Sequence, residues 1–567
     1  MLTLLFTQAV LGDYTNFPVK SLKLGDAATI SFYNAIAFTG KAGNLEDPHP
    51  VHGIETSDGG FVYVGKALEC RAGGGGEASN CGAGQDASKT EAYALKINAQ
   101  GTATAWAWTS GLAGQNDVAN SVAQLPGGGA VLVAGFRTVG GILKRSVTKL
   151  DLATGAEVWT ATDFGDLSPT SNGAWESIHI DAATSNVMLG GLKNKPDQTE
   201  MSFKSYGNCA GGTAAVVQLP VSAFTGGAAP TLSSAGYKAW SPAAEAGGAV
   251  SWNTVKRCTA TTSGDVACLL WRDGVVDKSA GIVLLKKGSD TPVWGPNMYG
   301  VKHGEGTDMV STKDGGFAIA GHGSKNSAGA EVSGALFGRV TKVNSAGAWQ
   351  WSKAFGSCGG DDPEAVCGTP YIKNEVWGIQ ESSDGGFVFS CGTGIENCEG
   401  MTGTIKTACA ADTKRLAGDT TREGAYMRKA AVWQQMFTKT DSSGAVVWQR
   451  VDAFRDSSTP ALPASCPNPD VSVDETTCGQ LDHSSASEHV IKATVAGTDV
   501  FVLVNDESTG GAIVKLYDPR RGVGGHSGST DGKTPAELDK LNAATHAAGT
   551  SSAAVLLVAA AAVAAMF

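Results

Sequence analysis

The chain has 567 residues, 76 of them glycine, with 42% hydrophobic and 17% charged residues and a formal net charge of -11. That much glycine is costly inside helices and useful in tight turns, so a helical protein is excluded, while the apolar content suffices for a sizeable core. The acidic balance excludes nucleic acid as a partner, which would call for a basic stripe.

In chain order, Met1 to Leu11 reads MLTLLFTQAVL, an apolar stretch without a basic flank. Residues 1–12 are therefore a candidate signal peptide, or simply a hydrophobic terminus. Leu22 to Gly40, LKLGDAATISFYNAIAFTG, has the pattern of an outer strand with no inner strand before it. Glu55 to Gly65, ETSDGGFVYVG, follows as an Asp-Gly-Gly turn leading into an alternating apolar run. Ala92 to Trp108 then gives a second pair of runs, with Lys, Asn, a Gly turn and a terminal Trp. Period-two runs joined by Gly and Asn/Asp turns are antiparallel hairpins, so one unit is four strands.

The unit recurs. The Asp-Gly-Gly turn returns at Ser311 to Gly321 and Glu381 to Gly392, and degenerate forms stand at Asn120 to Gly135, Glu176 to Gly191, Asn253 to Trp271 and His489 to Asn505. That makes seven inner hairpins. The last unit, ending in Gly511 to Asp518, lacks a Trp-bearing outer strand, and the N-terminal segment is an outer strand lacking a unit. The fold expected is all-β: a seven-bladed β-propeller of four-stranded antiparallel blades, closed by an N-terminal strand completing the last blade. It should occupy residues 17–520. An open solenoid or two sandwiches are the alternatives.

Twelve cysteines are present without any C-x-x-C, which argues against zinc and thioredoxin-like chemistry. Five close pairs are disulfide candidates: Cys70 with Cys81, Cys258 with Cys268, Cys358 with Cys367, Cys398 with Cys409, and Cys466 with Cys478. They imply an oxidising compartment. Residues 521–552 read as a flexible polar linker. Residues 553–567 are an apolar tail with small residues and a spacer before it, the layout of a GPI-attachment signal or a membrane anchor. The expected location is extracellular or at the cell surface.

The stretches DGGFVYVG and AYALKINAQG resemble the Asp-Gly-Gly repeat proteins of secreted microbial chains, and LDLATGAEVW (Leu150 to Trp159) resembles the tryptophan docking motif of quinoprotein-like propellers. The resemblance covers most of Leu22 to Asp518. It implies a propeller whose Trp residues lock neighbouring blades, and it is nearly silent on activity. A quinone cofactor is not expected, because the vicinal cysteines usual in quinoprotein dehydrogenases are missing.

No G-x-S-x-G, H-E-x-x-H, phosphate loop or EF-hand loop occurs. Aligning the inner strands on their first aliphatic residue places His52, Asn120, Glu176, Asn253, Asp308, Trp377 and His489 at one position. Facing a common axis, they would bind a cation or polar ligand, or simply line a hydrated channel. A slip of one residue would turn every side chain to the other face. No cofactor is expected beyond a cation at that axis. The Gly/Ala-rich insertion Asn208 to Gly248 and the basic insertion Cys391 to Lys429 are candidate contact loops. The functional expectation is a monomeric, surface-anchored binding or adhesion scaffold for a protein or glycan. An axial enzyme, quinoprotein-like or metal-dependent, and a structural coat protein are the alternatives.

Overall fold

The computed structural model describes residues 20–24, 29–36, 46–70, 81, 83–99, 104–162, 171–196, 211–230, 238–242, 252–272, 279–299, 304–323, 336–355, 373–394, 434–453, 485–495, 498–507 and 510–521. The candidate signal, the polar linker beyond 521, the apolar tail and residues 395–429 of the basic insertion lie outside these residues; the Gly/Ala-rich segment expected as an insertion instead supplies two strands and a short helix within 211–230 and 238–242. Three of the five expected disulfides lie outside them as well: that of Cys358 with Cys367, that of Cys398 with Cys409, and that of Cys466 with Cys478. Cys391, expected at the start of the basic insertion, is instead a buried free thiol inside a strand.

Two strands open the chain, β1 (Lys20–Leu24) and β2 (Thr29–Ile36). Sheet I is built from β3 (Glu46–Glu55), β4 (Phe61–Leu68), β5 (Thr90–Ile97) and β6 (Thr104–Thr109). Sheet II takes β7 (Val118–Gln124), β8 (Ala130–Val139), β9 (Ile142–Asp151) and β10 (Glu157–Thr162). Sheet III takes β11 (Asn172–Asp181), β12 (Asn186–Lys195), β13 (Thr213–Pro220) and β14 (Lys238–Trp240), with a short helix α1 (Ser222–Thr225) before β14. Sheet IV comprises β15 (Thr254–Ala260), β16 (Val266–Arg272), β17 (Ser279–Leu285) and β18 (Pro292–Met298). Sheet V comprises β19 (Glu305–Ser311), β20 (Phe317–Gly323), β21 (Phe337–Val343) and β22 (Trp349–Phe355). Sheet VI joins β23 (Lys373–Glu381), β24 (Phe387–Gly394), β25 (Gln434–Thr440) and β26 (Val446–Ala453) to β1. Sheet VII joins β27 (Ser485–Val495), β28 (Thr498–Glu507) and β29 (Gly510–Arg521) to β2.

The first strands of successive sheets contact one another in sequence, and β27 returns to contact β3. This is a β-propeller of four-stranded antiparallel blades. Six sheets have four strands, and sheet VI departs from the expectation by carrying a fifth. The N-terminal segment is also divided differently from the single outer strand expected. Its first part pairs with β26, Lys20 opposite Ala453. Its second part pairs with β29, Thr29 opposite Tyr517. A polypeptide that leaves one sheet edge and immediately covers the next satisfies two rows of edge groups at once.

The Asp-Gly-Gly turns work by a division of labour. Gly59, Gly315 and Gly385 adopt φ of 79°, 80° and 81°, the left-handed region where a Cβ is strained. The second glycine needs no special φ but must be small: a Cβ on Gly60 would sit 2.6 Å from the Ile97 carbonyl oxygen. Asp58 does not take positive φ; its side chain accepts the Gly60 N–H and the Thr56 hydroxyl. The same Asp then binds the Lys of the third strand, Lys96 to Asp58, Lys342 to Asp314 at 2.8 Å and Lys439 to Asp384. The recurrent Lys and the recurrent Asp are therefore halves of one clamp joining the first turn to the third strand.

The tryptophans lock neighbouring sheets. Trp106 Nε1 donates to the Leu152 carbonyl at 2.8 Å, Trp159 to Gly226 at 3.3 Å and Trp294 to Ser345 at 3.2 Å. Each acceptor belongs to the following sheet. Gly155 shows why a turn glycine follows: a Cβ there would lie 2.6 Å from the Trp106 ring. Two of the expected disulfides form. Cys70 is bonded to Cys81, and Cys258 to Cys268, the second pair being register partners on β15 and β16.

Candidate axial binding site

Each inner strand contains a β-bulge at the same place. The register shifts between Pro50 and His52, Ala119 and Ser121, Trp175 and Ser177, Val255 and Arg257, Gly306 and Asp308, Val376 and Gly378, and Ser487 and His489. A bulge puts two residues opposite one and re-aims the side chains beyond it. The structurally equivalent ring is therefore His52, Ser121, Ser177, Arg257, Asp308, Gly378 and His489.

Of the seven residues expected at the axis, His52, Asp308 and His489 line a common cavity, and Asn120, Glu176, Asn253 and Trp377 do not. Asn120, Glu176 and Trp377 are the bulge residues themselves, one position early, and Asn253 is four positions early. Their partners show the work they do instead. Asn120 Nδ2 donates to the Trp175 carbonyl at 3.0 Å, and Glu176 is ion-paired with Lys256 at 3.2 Å with both side chains fully buried. Asn253 donates to the Gly212 carbonyl, and Trp377 packs edge-on against His322, ring centroids 5.1 Å apart. These residues stitch one sheet to another.

The ring has a structural duty as well. His52 Nδ1 accepts the Val122 N–H at 3.2 Å, Ser177 Oγ accepts that of Cys258 at 3.0 Å, and Asp308 Oδ2 accepts that of Ile379 at 3.1 Å. In each case the donor follows the ring residue of the next sheet. Gly378 fits this pattern, since a Cβ there would lie 2.9 Å from the Val490 nitrogen.

The cavity has a volume of about 510 Å³ and is lined by residues of all seven inner strands, within the range of roughly 300–1,000 Å³ usual for ligand pockets. Its polar floor centres on Arg257, which sequence alignment misses. The guanidinium donates from Nε to Asp308 Oδ1 at 2.7 Å and from Nη1 to Ser121 Oγ at 3.4 Å. His52 and His489 lie against each other, ring centroids 4.3 Å apart and tilted by 38°. One ring further out, Ile54, Val310, Ile491, Thr259, Gln380 and His179 form the walls. Val51, Val118, Ala174, Trp271 and Trp377, which do not line the cavity, join one apolar cluster drawn from several sheets.

Electrostatics keep the imidazoles neutral. Burial, with the neighbouring His489 and Arg257, holds the His52 pKa well below its ordinary value. Burial and Arg257 outweigh the pull of Asp308 and bring His489 down to about 4. His179 falls to about 4 by burial and Arg257, against the opposing effect of Asp181. Among the described residues no group of three or more His, Cys, Asp and Glu is arranged to hold a metal. Arg257 places a guanidinium among the ring residues. Cys258, which lines the cavity, is bonded across strands to Cys268 rather than to an adjacent cysteine, so the residues do not fit the quinoprotein arrangement.

Arg257 is hidden in the sequence by the long turn that shifts Asn253 into its place, and His179 by the unread bulge. Counting in steps of two backwards from each turn, where no bulge intervenes, finds both.

These features define a β-propeller with a polar cavity lined by its inner strands. No family model and no curated protein matches the sequence. Solved structures show a low similarity to it. The Dos1 propeller is 9% identical with a TM-score of 0.37, covering 86% of this chain and 95% of that one. Sqt1 from Chaetomium thermophilum is 9% identical with a TM-score of 0.37, over 85% and 97%. The quinohemoprotein alcohol dehydrogenase from Comamonas testosteroni is 11% identical with a TM-score of 0.37, over 85% and 78%. Likeness at this level carries no argument about this chain.

Proposed function

We propose that this chain is a binding module, a seven-bladed ring in which the five-stranded sheet VI counts as one blade, and that its ligand is a small molecule held on the axis. The observation that carries the reading is the cavity lined by all seven inner strands, with Arg257, Asp308, His52 and His489 gathered on its floor. A rigid ring holds such groups in place without loop ordering on binding, which favours affinity. The two disulfides support an extracellular or cell-surface setting, because such bonds persist in oxidising compartments.

The test is a thermal-shift screen of a broad small-molecule library on the full chain. Hits should raise the melting temperature of the wild type and fail with Val310→Trp, which fills the cavity from its wall. Hits that stabilise both proteins equally would place binding elsewhere and end this reading.

A further inference from the structure

We infer that the axial ligand is a neutral, polyhydroxylated molecule of the monosaccharide or cyclitol class, gripped by the adjacent, tilted pair His52 and His489. This rests on the axial-binding reading above. The first ground is the hydrogen-bonding character of the pair. Because His52 Nδ1 accepts the Val122 N–H, its proton is assigned to Nε2, making that edge a donor. His489 Nδ1 is buried without a hydrogen-bond partner among the described residues and lies 3.7 Å from Asp308 Oδ2. A carboxylate on that side favours the proton on Nδ1, which leaves Nε2 as an acceptor. The two rings thus offer one donor and one acceptor side by side. A hydroxyl group, which both donates and accepts, answers both; a carboxylate or an ammonium answers only one.

Charge gives the second ground. The lining carries Arg257 and Lys492 against Asp308 and Glu55, with its three imidazoles neutral near pH 7. Asp308 accepts from Arg257 Nε, from the Met309 N–H at 2.9 Å and from the Ile379 N–H at 3.1 Å. Its charge is spent inside the protein, and a cationic ligand would have to displace Arg257 from it. An anion would likewise compete with Asp308 for Arg257. A ligand without charge disturbs neither. The third ground is the wall, where Ile54, Val310 and Ile491 provide apolar surface for the carbon-bearing face of a ring while Thr259 and Gln380 provide polar contacts.

Calorimetry of the full chain with neutral monosaccharides and inositol, matched uronates, matched amino sugars and methyl glycosides tests this. The expected result is one neutral ligand per chain, with affinity level from pH 8 to 5 and falling as His489 protonates near pH 4. His489→Phe should weaken binding by about tenfold. His489→Gln, whose amide reaches the place of Nε2, should recover much of that loss, with near-ultraviolet dichroism confirming that both variants fold. Equal binding of the free sugar and its methyl glycoside would indicate a glycan end as the source; loss with the glycoside would indicate the free sugar. Preference for a uronate or amino sugar, or binding that strengthens on acidification, overturns the ligand class while leaving the axial site intact. Binding that survives Val310→Trp overturns both. If none of the probes binds, the polyhydroxyl assignment falls, and the library screen alone decides the axial reading.

Discussion

Asp384 and Lys439 show how single residues hold a blade together. Lys439 is almost fully buried, and its ammonium is bound by Asp384 and by the Ser382 hydroxyl at 2.9 Å. Burial raises the Asp384 pKa, but the hydrogen bonds from Lys439, Ser382 and Gly386 outweigh it and bring the carboxyl to about 2. Asp384→Ala removes the carboxylate from the ammonium and leaves it the Ser382 hydroxyl, so chemical denaturation should show a loss of about 1.5–3 kcal/mol. The axial histidines govern a different pH range. In the unfolded chain they take up protons below about pH 6.5, whereas folded His179 and His489 resist until about 4. The unfolded state therefore binds more protons in that window, and stability falls as pH drops from about 6.5 to 4. Asp384 adds its own loss as pH falls from about 4 toward 2. Asp117 acts in the opposite sense, since burial holds its carboxyl up at about 6. A comparison of wild type with His179→Gln isolates the histidine contribution: the variant should show a shallower fall between pH 6.5 and 4, and an unchanged slope would refute the assignment. At this scale the sequence shows the Asp-Gly-Gly turn and the repeated Lys, but not that they touch, because their separation varies with the intervening loop from blade to blade.

The β-bulge is the element that organises the site, and it leaves no readable mark in the chain. It is occupied by residues as different as Val51, Asn120, Glu176 and Trp377, so no residue type announces it. An alternation pattern carried across it is wrong by one step, which is why Asn120 and Glu176 are expected on the axis and lie between sheets instead. The turns beyond the bulge are legible because their glycines answer to φ and to close packing. Gly386→Ala should accordingly be destabilised by about 1–3 kcal/mol, because a Cβ would run into the Thr440 carbonyl oxygen. The tryptophan lock is also legible, since its Trp, Asp or Asn, and Gly keep near-constant spacing. Trp106→Phe retains the ring but loses the bond to Leu152; a drop of about 1 kcal/mol in unfolding free energy is expected, and no change would show that ring packing alone suffices.

For the whole molecule, closure by the N-terminal segment is legible from a leftover strand at each end, and the pairing of β2 with β29 supplies it. The second pairing, of β1 with β26, is not, because Lys20–Leu24 spans only five residues and carries no turn or Trp signature. Deleting residues 1–36 uncovers the edges of β26 and β29 together, and size-exclusion chromatography should show association through open edges; a monodisperse monomer would mean that the ring closes without them. Closure matters because it fixes the seven inner strands around one axis and so creates the cavity. A crystal structure of the full chain soaked with a ligand found by the library screen tests that claim most directly. It should show the ligand on the axis against His52, His489 and Arg257, inside the walls formed by Ile54, Val310 and Ile491. Density for the ligand on the outer strands or between blades, with the axis unchanged, would contradict it.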